Sequence, residues 1–422
     1  MSEPAAAALA APPELLALRN AAAVRERCAR IHDWVAAGRS PYFTLDEAKL
    51  DPTAALVAEV TRAAYPDLVT PHHSRWRHFS AGDHDRWAAL PIAHASGPER
   101  ARAAIDLTVV SVLLDAGAGA AWRYHDVATG MTFARSEGLA VASFDMFRAG
   151  LFSSDPQHPH QVDRGALARL ALAPLAAGFQ VSDRNALVGL SARLALLRRL
   201  GEALAARPDL FGAAGRPGHL VDAIMASSSA SSAARTIAAP AITAPAILAL
   251  VLEATSGIWP SGLVVDGVAL GDAWRHPAIR TPDRSDGIVP FHKLSQWLTY
   301  SLIEPIEQAG VTVTDVDGLT GLPEYRNGGL LIDMGVIVPR APLAPAVPHE
   351  VGSELVVEWR ALTVALLDRL REATRRQLGL ATFSMSQLLQ GGTWSAGRAI
   401  AARLRPPDGP PPIAVKADGT VF

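Results

Sequence analysis

The sequence predicts a mainly α fold, a helical body with small β-hairpin appendages, on three observations. Apolar residues recur every three or four positions over most of the chain. Proline and glycine punctuate those segments, as in SGPER (96–100) and AARPDLFG (205–212). Strand signals are few and short. With 422 residues, 49% of them hydrophobic and only 19% charged, the chain can bury a sizeable core.

In chain order, the helical pattern covers 13–37, 53–64, 98–121, 136–151, 163–175, 182–206, 240–255, 295–309, 350–378 and 384–403. LVVDGVAL (263–270) reads as a tight hairpin turning at Asp266 and Gly267, and IAVKADGTVF (413–422) reads as another. TVTDVDGLTGLPEYRNGGLLIDMGVI (312–337) reads as two or three short strands around a polar Arg-Asn-Gly-Gly turn. MASSSASSAARTIAA (225–239) is either a flexible linker or a small-residue helix face. One large helical domain over 1–422 is expected. The alternative sub-division falls near 225–240 and separates 1–224 from a C-terminal part, 240–422, that holds most of the short strands.

A formal net charge of −2 and a pI near 6.7 argue against general attraction to nucleic acid or an acidic membrane. The single cysteine, Cys28, excludes an intramolecular disulfide and any Cys-cluster metal site, and its helical setting suits an inert packed thiol. The longest apolar stretch, AITAPAILALVLEA, is too short to span a bilayer and contains Pro245. MSEPAAAALAAPPELL lacks a basic segment and holds three prolines, so no secretory signal is read there and a cytoplasmic location is expected. GxxxxGK[ST], GxGxxG after a strand, and GxSxG are all missing, which argues against P-loop, Rossmann and α/β-hydrolase chemistry.

The chemistry-bearing residues gather in turn-bounded motifs. In TPHHSRWRHFSAGDHDRW (70–87), His72, His73 and His78 lack a metal-ligand spacing such as HExxH. Arg75 and Arg77 alternate with Trp76, which suits either an anion-binding loop or an arginine–carboxylate network. Asp115 ends an apolar helix and precedes AGAGAA, so it is a structural cap or a ligand-facing carboxylate. His292 and Lys293 stand at a helix start, as a phosphate site or as solvated capping residues. Glu324, Arg326, Asn327 and Asp333 are either a solvated hairpin tip or the rim of a site.

Specific wording narrows this further. VVSVLLDAGAGAAWRYHD, SEGLAVASFDMFRAGLFSS, GDAWRHPA, PFHKLSQWLTYSLIEPIE, LTGLPEYRNGGLLIDMGVI and LLQGGTWSAGRAIA together resemble the uracil-catabolism protein four family over about 15–422. That resemblance implies a place in non-reductive uracil degradation, in which uracil is taken to its nucleotide, the ring is opened and urea is released. Shorter stretches resemble the queuosine salvage N-glycosidases, helical enzymes related in fold to DNA glycosylases. LLDAGAGAAW places Asp115 on that family's aspartate and Trp122 near its aromatic residue. LSARLALLRRLGEAL is similar to its arginine-bearing helix, and VVEWRALTVALLDRL matches Glu358 and Arg360. LLQGGTW carries Gln390 where that family has an acid, and glutamine cannot serve as a carboxylate. LPEYRNGGLLIDMGVI has no clear counterpart there.

Together the two resemblances imply hydrolysis of the N-glycosidic bond of a 5′-phosphorylated ribosylurea. Such a reaction needs a carboxylate for the sugar cation or the water, a donor for the departing urea, and a cationic pocket for the phosphate. The candidate catalytic acids are Glu324, Asp333 and Asp115. The candidate substrate-binding residues are His292, Lys293, Arg326, Arg360, Glu358, Arg75, Arg77 and Trp122. The scheme requires no metal and no cofactor, and its expected partner is a small molecule, not a nucleic acid or a membrane. Two other classes stay open: a phosphoribosyltransferase or its partner subunit, opposed by the missing phosphoribosyl-pyrophosphate loop, and a non-catalytic helical scaffold.

Overall fold

The computed structural model describes residues 11–95, 97–231, 240–259, 262–343, 347–407 and 409–416. Among them the helices of nine or more residues are α1 (Ala21–Ala36), α2 (Leu50–Ala64), α3 (Pro98–Leu113), α4 (Arg135–Arg148), α5 (Leu190–Ala206), α6 (Leu220–Ser231), α7 (Ala244–Thr255), α8 (Lys293–Gln308), α9 (Tyr325–Asp333), α10 (Glu354–Leu378) and α11 (Trp394–Leu404). The 25-residue α10 is the axis of the body. It packs on α1 and α2, while α3 packs on α8 and α9 on α11. Each principal helix has a buried stripe at helical spacing, such as Val24, Cys28, Ile31 and Val35 in α1. These stripes merge into one contiguous apolar cluster drawing on residues from Ala21 to Ile413.

The strands form five two-stranded sheets among the described residues. β2 (Tyr124–His125) pairs with β3 (Thr132–Phe133), β5 (Val264–Val265) with β6 (Val268–Ala269), and β7 (Ala273–Arg275) with β8 (Ile288–Pro290), all antiparallel. The β5–β6 turn sits at Asp266 and Gly267, both at positive φ (48° and 79°), as a tight two-residue hairpin requires. The other two sheets tie distant segments together. β1 (Phe43–Leu45) pairs antiparallel with β10 (Ile337–Pro339), and β4 (Ala241–Thr243) runs parallel to β9 (Thr312–Thr314).

Two local readings of the sequence are corrected by the structure, and two others lie partly outside the described residues. The helix expected over 98–121 stops at Leu113, because the small residues after Asp115 form a loop held from below by Arg193. The polar segment expected as a turn between strands is the helix α9, with Glu324 as its N-cap. The small-residue stretch from 225 begins as helix within α6, and residues 232–239 lie outside the described ones. Of the expected C-terminal hairpin, 417–422 also lie outside them, and Val415 instead forms a parallel bridge with His349.

Close packing of α11 on α9 depends on Gly397. A Cβ there would overlap the carbonyl oxygen of Arg326 in the facing helix. Gly397→Ala is therefore expected to destabilise the fold by about 1–3 kcal/mol in denaturant titration, through overpacking at a backbone contact.

Candidate functional site

Six stretches, distant in sequence, surround one cavity of about 600 Å³: the 73–78 turn, the 115–120 loop, the starts of α4, α8 and α9, and a turn at 389–395. Residues 409–411 complete its wall. Beneath the first two, Arg75 is fully buried and lies 3.0 Å from Asp115 as an ion pair. Its Nε donates to Ser111 (2.7 Å) and its Nη1 to the carbonyl of Ser136 (3.1 Å). Arg193, also fully buried, donates to the carbonyls of Leu114 (3.1 Å), Ala116 (2.6 Å) and Gly117 (3.2 Å). One guanidinium thus caps the end of α3 and shapes the loop that begins at Asp115.

Opposite stands Glu324. Its Oε1 accepts the backbone N–H of Asn327 (2.7 Å) and its Oε2 that of Arg326 (2.9 Å). The first turn of α9 thereby fixes both carboxylate oxygens. Burial pushes the Glu324 carboxyl up; the two N–H groups, Lys293 and Arg326 pull it down, and burial prevails. Lys293 opens α8, where its own backbone N–H donates to Asp272 (3.0 Å). Burial lowers the Lys293 ammonium from its usual value against the attraction of Glu324, and Arg360 lowers it further, while Asp115 and Asp272 oppose.

The turn at Leu389–Thr393 is a single π-helical turn, a feature concentrated at functional sites. It brings Leu389 and Gln390 into the cavity wall. Gly391 and Gly392 permit it, since a Cβ on Gly392 would stand 2.6 Å from Val57 Cγ1 and 2.8 Å from the Val57 carbonyl oxygen.

Of the residues the sequence pointed to, Asp115, Glu324, Lys293, Arg326 and Arg77 line this cavity. Six others do not. Arg75 supports Asp115 from behind, as the arginine–carboxylate reading anticipates. His292 is buried and its Nε2 lies 2.9 Å from the Leu18 carbonyl. Arg360 forms a bidentate pair with Asp272 (2.9 and 2.7 Å) and lies 4.2 Å above the Phe291 ring. Glu358 binds Ser40 and lies 3.3 Å from His276 in a closed internal network. Trp122 fills the core and donates to the Phe179 carbonyl (2.9 Å). Asp333, at the far end of α9, is held by Arg405 through two bonds of 2.8 and 2.6 Å. Asp333→Asn is expected to leave turnover within about twofold and to lower stability by about 1.5–3 kcal/mol, the scale of a charge-assisted hydrogen bond. Activity assays and chemical denaturation separate the two effects.

Sequence reasoning passed over Arg135, Trp297, Tyr325 and Trp394, which also line the cavity. The Gly-Gly pair before Trp394 was the available signal for the last of these. For Arg135 there was none, because its left-handed backbone (φ 53°) is invisible in the sequence. Among the described residues no three His, Cys, Asp or Glu side chains are grouped to hold a metal ion, and no helix is long and apolar enough to cross a membrane.

Residues 17–422 match the family described as a protein of unknown function, DUF1688. The chain belongs to this family. Over 391 residues this DUF1688 chain is 40% identical to protein urg3 of Schizosaccharomyces pombe, covering 90% of itself and 92% of that protein. Over 438 residues it is 36% identical to uracil catabolism protein 4 of Lachancea kluyveri, covering 96% and 98% respectively. Both matches take in every segment of the cavity wall that carries a charged group.

Proposed function

We propose that this protein acts in uracil catabolism by hydrolysing the N-ribosyl bond of a 5′-phosphorylated ribosylurea, releasing urea and ribose 5-phosphate. The observation that carries the reading is the meeting of Asp115, Glu324 and Lys293, with arginines beside them, in one cavity of ligand size. The name of the Lachancea kluyveri relative supplies the pathway.

In this scheme Glu324 takes a proton from the attacking water, for which a carboxyl raised above its ordinary value is suited. Asp115, backed by Arg75, stabilises the oxocarbenium-like sugar. Lys293 donates a proton to the urea nitrogen as the C–N bond breaks, and a lowered ammonium is the better acid. Arg135 and Arg326 offer guanidinium groups for the 5′-phosphate, so that binding energy remote from the bond positions the sugar.

The direct test incubates purified protein with ribosylurea 5-phosphate and measures urea and ribose 5-phosphate. Equal amounts of the two support the reading, and no release above the uncatalysed rate overturns it. The pH profile gives a second check. Glu324 must be ionised, so activity falls as pH drops through a value above the usual carboxylate of about 4.3. Lys293 must be protonated, so activity falls as pH rises through a value below the usual lysine of about 10.4. The expected kcat/KM profile is a bell narrower than an unperturbed Glu–Lys pair gives.

A further inference from the structure

The 73–78 turn carries two imidazoles that the scheme above does not use. His73 and His78 both line the cavity and both pack against Trp297, with ring centroids 4.4 and 6.2 Å away. Their hydrogen bonds fix different tautomers. Gln390 Nε2 donates to the Tyr65 hydroxyl (2.9 Å), which leaves Gln390 Oε1 to accept from His73 Nδ1 at 3.1 Å. His73 therefore carries its proton on Nδ1, and Nε2 is a lone-pair acceptor. His78 is the reverse. Arg75 can only donate, so the 3.5 Å contact from its Nη1 makes His78 Nδ1 the acceptor and places the proton on Nε2. Neither Nε2 atom has a hydrogen-bond partner among the described residues.

Charge does not disturb this arrangement. Burial lowers His73 to about 4, against a smaller upward pull from Gln390. Burial, with Arg75, His73 and Arg77 adding to it, holds His78 well below the usual imidazole range. Both rings are neutral at physiological pH, so they form one acceptor and one donor and make no anion site.

We propose that His73 Nε2 and His78 Nε2–H recognise the N–H and C=O edge of the substrate's ureido group, the acceptor taking the N–H and the donor the carbonyl. This rests on the hydrolase reading and assigns the leaving-group end of its cavity. A site that satisfies both polar partners of a ureido edge discriminates strongly against a ligand lacking them, because its buried groups are then left unpaired. Gln390 is a positioning residue that sets the His73 tautomer.

The test is calorimetric titration of ribosylurea 5-phosphate and of ribose 5-phosphate into Glu324→Gln, which on the scheme above does not turn the substrate over, and into the same protein carrying His73→Phe, His78→Phe or His78→Gln. Each phenylalanine variant is expected to weaken ribosylurea 5-phosphate about tenfold while ribose 5-phosphate changes by less than about twofold. His78→Gln, which keeps an N–H donor near the same place, is expected to recover most of the loss. Retained ribose 5-phosphate binding shows that each variant is folded. Equal weakening of both ligands, unchanged ribosylurea affinity in both phenylalanine variants, or no ribosylurea binding by the parent Glu324→Gln protein would each overturn the assignment. Selective binding without urea release by wild type refutes the hydrolase reading and keeps the pair. Urea release by wild type with unselective losses does the opposite.

Discussion

Glu324→Gln is expected to lower urea release from ribosylurea 5-phosphate by about 10²–10⁴-fold with the fold intact, the range for a group that moves a proton in the transition state. Glutamine keeps an oxygen that can accept one N–H of the first turn of α9, so the stability change should stay within about 1 kcal/mol. Replacement also removes a carboxylate that burial disfavours, which offsets part of the lost capping. The variant is thus a cleaner probe than Asp115→Asn, which would weaken the ion pair of a fully buried Arg75. Single-turnover rates and thermal melts on the same preparation decide the matter. Unchanged turnover in a folded protein would remove Glu324 from the chemistry.

The largest stability effect is expected one layer beneath the cavity. Arg360→Met leaves Asp272, 4% exposed, as an uncompensated charge and should cost about 3–5 kcal/mol in denaturant titration. Burial by itself would raise Asp272, but Arg360, the N–H of Lys293 and the Trp274 indole outweigh it and hold the carboxyl at about 2. A carboxyl depressed on folding contributes stability that is present above its unfolded value, near 3.8, and lost as pH falls through about 2. Wild type should therefore lose about 1–2 kcal/mol relative to Asp272→Asn between those two pH values, and about 2–3 kcal/mol from about pH 5 to about pH 1. The same pair governs the site, because the Asp272 carboxylate accepts the backbone N–H of Lys293 (3.0 Å), while its main-chain carbonyl accepts those of Phe291 (2.9 Å) and His292 (3.1 Å). Loss of Arg360 is expected to release the start of α8 and to lower activity as well.

Helices were legible wherever a long apolar stripe repeated, as in α5 and α10, since periodicity reports the buried face directly. Boundaries failed where a distant side chain supplied the stop. Nothing near Leu113 announces that Arg193, eighty residues on, will take the carbonyls that follow it. The helix α9 was missed for a related reason. Two glycines in YRNGGLLID suggest a turn, yet Gly328 and Gly329 are there because Trp359 and Pro412 press on them, so tertiary packing overrides propensity. For the candidate site, acids and bases in turn-bounded motifs marked neighbourhoods that the fold brings to one cavity, at 73–78, 115, 293 and 324–326. They did not distinguish residues that line the cavity from those that brace it. Asp115 and Arg75, or Lys293 and Arg360, are equally polar in the sequence, and burial alone separates their roles.

The wall at Gly409, Pro410 and Pro411 has a consequence for the order in which the protein is made. These residues line the cavity, and the Gly409 carbonyl accepts from Arg326 at 2.9 Å. Between Glu324 and Gly409 lie 84 residues, so at about 5–20 residues per second the ribosome works on for several seconds after the acid has been built in. Throughout that interval the growing chain lacks this part of the cavity wall. A message cut short after α11 would encode every acid and base of the site and still yield a protein without this wall and without the carbonyl that Arg326 binds.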